Sequence, residues 1–144
     1  LAYGVAGMGE VVRRAMPMEW QVDQGEWRLG PYWSVLVTNT PLLPSAGLVP
    51  GGAVLAGAAR MDDGLLDVVA AQPRNLSEWL SIAASGVLNM ADTVHGLQRA
   101  QGRTVAVRAT SPVPVQADGD VICAAAEALS VCLDGQVAIR VQSQ

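Results

Sequence analysis

Lysine and phenylalanine are absent from this 144-residue chain, histidine occurs once and cysteine only twice. All nine positive side chains are arginines, scattered rather than blocked, and this argues against nucleic acid as a main partner. The missing Lys and Phe, beside abundant Ala, Val and Gly, reflect the codons of a GC-rich genome rather than a function. Long apolar runs are missing too. None reaches the roughly 18 residues of a membrane-spanning helix, and no basic segment followed by an apolar core opens the chain, so neither a membrane interior nor export is expected. Cys123 and Cys132 lack metal-type spacing such as C-x-x-C. They fall in two adjacent strand-like segments where a cross-strand disulfide is geometrically conceivable, but two small buried thiols in a reducing cytosol are the expected state.

What is present is a folded domain's composition. The chain is 51% hydrophobic and 15% charged with a formal charge of −4, and its length suits a single domain, residues 1–144, with a real core. Leu1 rather than Met begins it, as in a piece of something longer. Residues 1–16 repeat apolar positions at helical spacing and end in Arg13 and Arg14, which predicts a helix. "MEWQVDQGEWRLG" alternates about a turn and "YWSVLVTNT" is β-branched, together predicting three antiparallel strands. Residues 41–59, with three prolines, read as a long semi-rigid loop.

A strand "LLDVVAA" follows, then a helix capped by Asn75 or Ser77, with Leu76, Leu80 and Ile82 or Ala83 on its apolar face. From Arg103 onward "TVAVRAT", "VPVQADGDVI", "ALSVCLD" and "QVAIRVQ" read as short strands separated by Pro112, Pro114, Gly119 and Asp134-Gly135. The pattern predicts a mainly β, α+β domain: a two-sheet antiparallel β-sandwich with two helices, not a parallel nucleotide-binding sheet.

Two stretches hold carboxylates near a glycine. "RMDDGLLD" places Asp62, Asp63 and Asp67 around Gly64, and "VQADGD" places Asp118 and Asp120 around Gly119. Asp-Gly is an ordinary turn dipeptide, and both stretches can be only that. Paired carboxylates also bind divalent cations through oxygen or set a general base beside a phosphate. Asp118 and Asp120 share parity and one face if the strand stays regular, whereas an Asp-Gly hairpin turn would change that. His95 reads as a loop or helix-end residue with no partner spaced to work with it. Trp20, Trp27, Trp33 and Trp79 read as fillers of core or sheet faces, and the two cysteines as core.

The order of these pieces resembles a family. Gly51-Gly52, Ala59, Asp62-Asp63-Gly64-Leu65, Asp67, a helix, His95 before a strand, and Gln116-Ala117-Asp118-Gly119-Asp120 are similar to the second, β-rich domain of the diacylglycerol kinase, sphingosine kinase and bacterial lipid kinase family. "VLVTNT", ending in Asn39 and Thr40, matches that family's strand leading to an Asn before the glycine loop. The likeness spans nearly the whole chain. It implies transfer of the γ-phosphate of ATP to a lipid hydroxyl, in a cleft shared with an N-terminal nucleotide-binding domain that carries a G-G-D-G-T loop. No such loop and no P-loop occurs here, so ATP would be bound mainly by that other domain, and the chain alone is expected to be inactive.

By the same resemblance, Asp63 matches the carboxylate ligand of a structural Mg²⁺, with the main-chain carbonyls of Arg60 and Leu65 beside it. Asp120 matches the catalytic Glu that accepts the proton of the lipid hydroxyl, and Asp118 its neighbouring Asp. Asp120 is one methylene shorter than Glu, and Gly57 stands where the family has Pro. The implied partners are the N-terminal domain, a lipid alcohol of diacylglycerol or sphingoid-base type, and the inner membrane surface, for a cytoplasmic, peripherally associated bacterial enzyme of phospholipid metabolism; a homodimer is left open. The alternative is a lipid- or protein-binding β-sandwich that kept the fold without the reaction.

Overall fold

A computed structural model describes residues 15–40, 42–43, 53–54, 59–88, 94–118 and 120–135. Among the described residues, nine strands and one helix follow in order: β1 (Met16–Val22), β2 (Arg28–Tyr32), β3 (Ser34–Thr38), β4 (Leu42–Leu43), β5 (Ala53–Val54), β6 (Leu66–Ala71), α1 (Leu76–Leu88), β7 (Leu97–Gly102), β8 (Thr104–Ala117) and β9 (Asp120–Cys132). One sheet runs β2-β1-β8-β9, the second β3-β6-β7, and β4-β5 form a short ribbon, with every pairing antiparallel. The two-sheet sandwich expected from the sequence is the observed fold. The first expected helix lies outside the described residues except at its end, where Met16 already opens β1. The strand expected over 136–142 also lies outside them.

Burial explains the layers. All of β6 is buried, so it reads as an apolar run rather than as an alternation. Leu66, Val68 and Ala70 point between the sheets, where they meet Met18, Trp20, Tyr32 and Val105. Side chains alternate across a strand, so Asp67 and Val69 occupy the opposite face of β6. Ala59 packs on Val69 there, with Leu36 and Leu97 alongside. Ala59, immediately before Arg60, therefore lies over the outer face of the β3-β6-β7 sheet. Helix α1 packs against β5.

Asn75 caps α1: its Oδ1 accepts from Glu78 N at 2.9 Å, and Glu78 Oε2 accepts from Arg74 N at 2.7 Å. Such a reciprocal cap stabilises a helix by about 1 kcal/mol. Ile82 is buried on this helix, whereas Leu80, expected on its apolar face, is 63% exposed. Trp79 instead meets Trp33 edge-on at 4.4 Å.

Two corners carry the chain from sheet to sheet. At Trp33 it leaves β2 and enters β3, which pairs with β6; the three strands expected as one antiparallel set are thus split between sheets. At Arg103 it passes from β7 to β8. Here Asp23, at φ 48°, accepts from Arg103 N at 2.8 Å and Thr104 N at 2.9 Å, and its own N–H donates to Thr104 O. These donors hold the Asp23 carboxyl below its usual range, the Thr104 backbone N–H most of all. A Cβ on Gly102 would overlap Val22 Cγ1 and come within 2.5 Å of Asp23 Oδ2. Gly102→Ala is therefore expected to destabilise the domain by about 1–3 kcal/mol in urea unfolding. Unchanged stability would show that the corner yields freely.

Proline does not break the last hairpin. β8 runs unbroken through Pro112 and Pro114, and β9 through the residues expected as two strands. The register slips instead: Arg108 pairs with Ala128 and Val113 with Ala126, so residues 109–112 stand against Glu127 alone. A bulge is where a strand tolerates a residue without an N–H. Cys123 and Cys132 both lie on β9, nine residues and about 30 Å of extended strand apart. Both are exposed. They are neither core residues nor able to bridge one another within the chain, which corrects both expectations.

A candidate cation and carboxylate site

The first acidic motif forms the entry to β6. Gly64 takes φ 70°, a conformation that costs glycine little, and this folds Asp63 back so that its Oδ1 accepts from Leu65 N at 2.9 Å. Asp62 turns the other way. Its two oxygens accept from Arg60 Nε at 3.0 Å and Nη2 at 3.2 Å, an exposed pair that lowers the Asp62 pKa and contributes little stability. Arg60 thus neutralises Asp62 and leaves Asp63 without an ion pair among the described residues.

Asp67 lies four residues on, and only 5% of it is exposed. It pairs across the sheet with Thr38 on one side and Gln101 on the other. Gln101 Nε2 donates to its Oδ1 at 2.8 Å, while Oδ2 is buried with no hydrogen-bond partner among the described residues. Burial pushes its pKa up, the Gln101 hydrogen bond opposes this, and the charge of Asp63 adds to the rise. Thr38 opens a tight turn, with Thr40 N donating to Thr38 Oγ1 at 3.1 Å, so Asn39 stands at this same end of the sheet. The sequence singled out Asp63, Arg60 and Leu65 here but gave no role to Asp67 or Gln101. The available signal was an Asp inside an otherwise apolar strand.

The donor chemistry suits a hard divalent cation. Mg²⁺ takes oxygen ligands, and the turn offers the Asp63 carboxylate, the carbonyls of Arg60 and Leu65, and an orphaned carboxylate oxygen on Asp67. No three His, Cys, Asp or Glu side chains converge among the described residues, so main-chain oxygens would have to complete such a site.

The second acidic motif caps the β8-β9 hairpin. Ala117 pairs with Asp120, and Asp118 between them takes φ 51°, a left-handed value common at Asp-Gly hairpin turns. Gly119 itself lies outside the described residues. Asp118 and Asp120 are thus a loop residue and a strand residue, not two members of one regular face. Both are exposed, and Val121 and Ile122 beside them are 59% and 64% exposed. Beyond Thr110 the two strands of this hairpin arm have no third strand beside them among the described residues.

No hydrogen bond or ion pair among the described residues joins this tip to the Asp63 turn. His95 sits exposed in the turn before β7, at the end of the sheet away from Asp67. Trp20 is core, while Trp27 lies under Arg108 at 4.3 Å on the sheet face. Gly51, Gly52 and Gly57 lie outside the described residues.

A scan against family models matches residues 1–139 to the YegS C-terminal NAD kinase beta sandwich-like domain. The chain belongs to that family. Among solved structures, the YegS C-terminal fold recurs in proteins of Bacillus anthracis str. Sterne assigned as diacylglycerol kinases. One aligns with a TM-score of 0.66 at 15% identity over 91% of this chain, and another with 0.66 at 14% identity over 89%. This YegS-type domain spans 43% and 41% of those two chains. No curated protein matches it. The C-terminal, β-rich domain of the lipid kinase family, expected from the motif order, is the family observed. No helix among the described residues is long and apolar enough to cross a membrane.

Proposed function

We propose that this domain is the C-terminal half of an ATP-dependent lipid kinase, supplying the proton acceptor and a Mg²⁺ site to a cleft completed by an N-terminal nucleotide-binding domain. The reading is carried by one observation: a chain of this family holds a D-D-G-L-L-D turn at the entry of one strand and a Q-A-D-G-D tip on the β8-β9 hairpin. The hydroxyl oxygen of a diacylglycerol or sphingoid base bonds the γ-phosphorus of ATP as the bridging oxygen to the β-phosphate leaves. Asp120 takes the hydroxyl proton, and Asp118 shapes the tip that presents it. Such reactions depend on positioning and charge neutralisation more than on covalent chemistry. Bound Mg²⁺ would supply positive charge and hold the turn in place. The exposed Val121 and Ile122 beside Asp120 give the tip an apolar flank suited to a substrate that resides in a membrane surface.

The test is phosphate transfer from labelled ATP to diacylglycerol or sphingosine by the intact two-domain protein with Mg²⁺. Asp63→Asn keeps the oxygen that accepts from Leu65 N and removes a charge, so it is expected to fold normally and lose about 10-fold or more of the Mg²⁺-dependent rate. Transfer at the parent rate would reduce Asp63 to a turn residue. Absence of any transfer by the parent would overturn the kinase reading.

A further inference from the structure

Asp67 is the one buried charged side chain among the described residues, and half of its carboxylate has no partner. An uncompensated buried carboxylate costs several kcal/mol, so a fold that keeps one gives it a counter-charge or a proton. Arg60 and Arg74 stand equally near in the sequence, seven residues to either side; Arg60 is already engaged by both oxygens of Asp62, and Arg74 is exposed beyond the far end of β6. Asp67 shares a face of β6 with Val69, and Val69 packs against Ala59, the residue immediately before Arg60. The carboxylate therefore lies on the face against which Ala59, at the head of the Arg60–Leu65 turn, packs. Gln101 fixes Oδ1 at 2.8 Å, and this orients the carboxylate while leaving Oδ2 available.

We propose that Asp67, through its buried Oδ2, is a second carboxylate ligand of the cation held by the Arg60–Leu65 turn, with Gln101 as its positioning residue. The inference rests on the reading that this turn binds a divalent cation. With Asp67 included, the site has two carboxylates against one doubly charged ion, a neutral balance that compensates the buried Asp67 charge.

The test is Mn²⁺ binding to the intact protein, followed by electron paramagnetic resonance. The parent is expected to bind Mn²⁺ saturably, and Asp63→Asn and Asp67→Asn each to weaken it by about 10-fold or more. Gln101→Ala leaves both carboxylates in place and is expected to lose less than either. If Asp63→Asn loses affinity while folded Asp67→Asn binds like the parent, Asp67 is not a ligand and the cation reading of the turn stands. If the parent does not bind Mn²⁺, or neither Asp variant changes binding, both fall together. Should Asp67→Asn fail to fold by circular dichroism, anomalous scattering from Mn²⁺-soaked crystals of the parent decides. A peak within bonding distance of Asp67 Oδ2, about 2–2.6 Å, supports the proposal, and a peak on Asp63 outside that distance from Asp67 overturns it.

Discussion

Asp120→Asn in the intact two-domain protein is expected to lower kcat for lipid phosphorylation by about 10²–10⁴-fold, the usual worth of a positioned general base. The location makes the experiment clean. Asp120 is exposed at the start of β9, and no hydrogen bond or ion pair among the described residues depends on its carboxylate, so Asn removes the proton acceptor without removing a fold contact. Its effect develops in the transition state, so KM for ATP and lipid should change far less than kcat. Asp120→Glu lengthens the reach by one methylene and is expected to keep or raise activity. Asp118→Asn is the control for the tip: Asn tolerates the left-handed φ of 51° that Asp118 adopts, so the loop should persist with only a modest loss of rate. A parent-like kcat for Asp120→Asn would make Asp120 a hairpin residue and remove the chemical step from this arm.

The parts of the fold that could be read from the sequence are those where local pattern and burial agree. β1 alternates, β6 is apolar apart from Asp67, and Asn75 precedes a helix with Glu78 three residues later, so strand, buried strand and capped helix follow from period and caps. The misreadings share a cause, since each depends on a partner distant in sequence. Trp33 turns β3 into the other sheet because β6 waits there, and nothing in "YWSVLVTNT" encodes that choice. Pro112 and Pro114 look like strand ends, but β9 absorbs them through a slipped register. Cys123 and Cys132 look buried by residue type, yet both are exposed on β9, the edge strand of its sheet among the described residues.

The candidate site divides in the same way. Asp63 and Asp120 were visible as motifs because turns are local, four residues at a time. Asp67 and Gln101 are thirty-four residues apart, and their hydrogen bond exists only because β6 and β7 pair in one register. A one-residue slip would move Asp67 into the sandwich interior beside Trp20 and Val105. The glycine corner at Gly102, held by Asp23, fixes where β7 ends, and so helps to hold the register that keeps the carboxylate on the outer face.

Trp20→Ala is expected to have the largest effect on stability, about 3–5 kcal/mol, enough to unfold a domain of ordinary stability. Trp20 is fully buried at the centre of the interior between the two sheets, with the edge of Tyr32 at 6.4 Å and the Arg28 guanidinium 4.6 Å over its ring. Truncation removes the filling of the β1-β8 contact, opens a cavity where Val68 and Val105 now pack, and strips the Arg28 charge of its aromatic face. The indole carries a liability as well, because its Nε1–H is buried with no acceptor among the described residues. An unmet donor costs about 1–3 kcal/mol, so Trp20→Phe, which deletes the N–H together with part of the ring, loses packing but regains that cost. Urea unfolding should therefore give a small net change for Trp20→Phe beside a severe one for Trp20→Ala. If the two variants were equally destabilised, the Nε1–H would have a partner in solution and the core at Trp20 would be held by that bond as well as by packing.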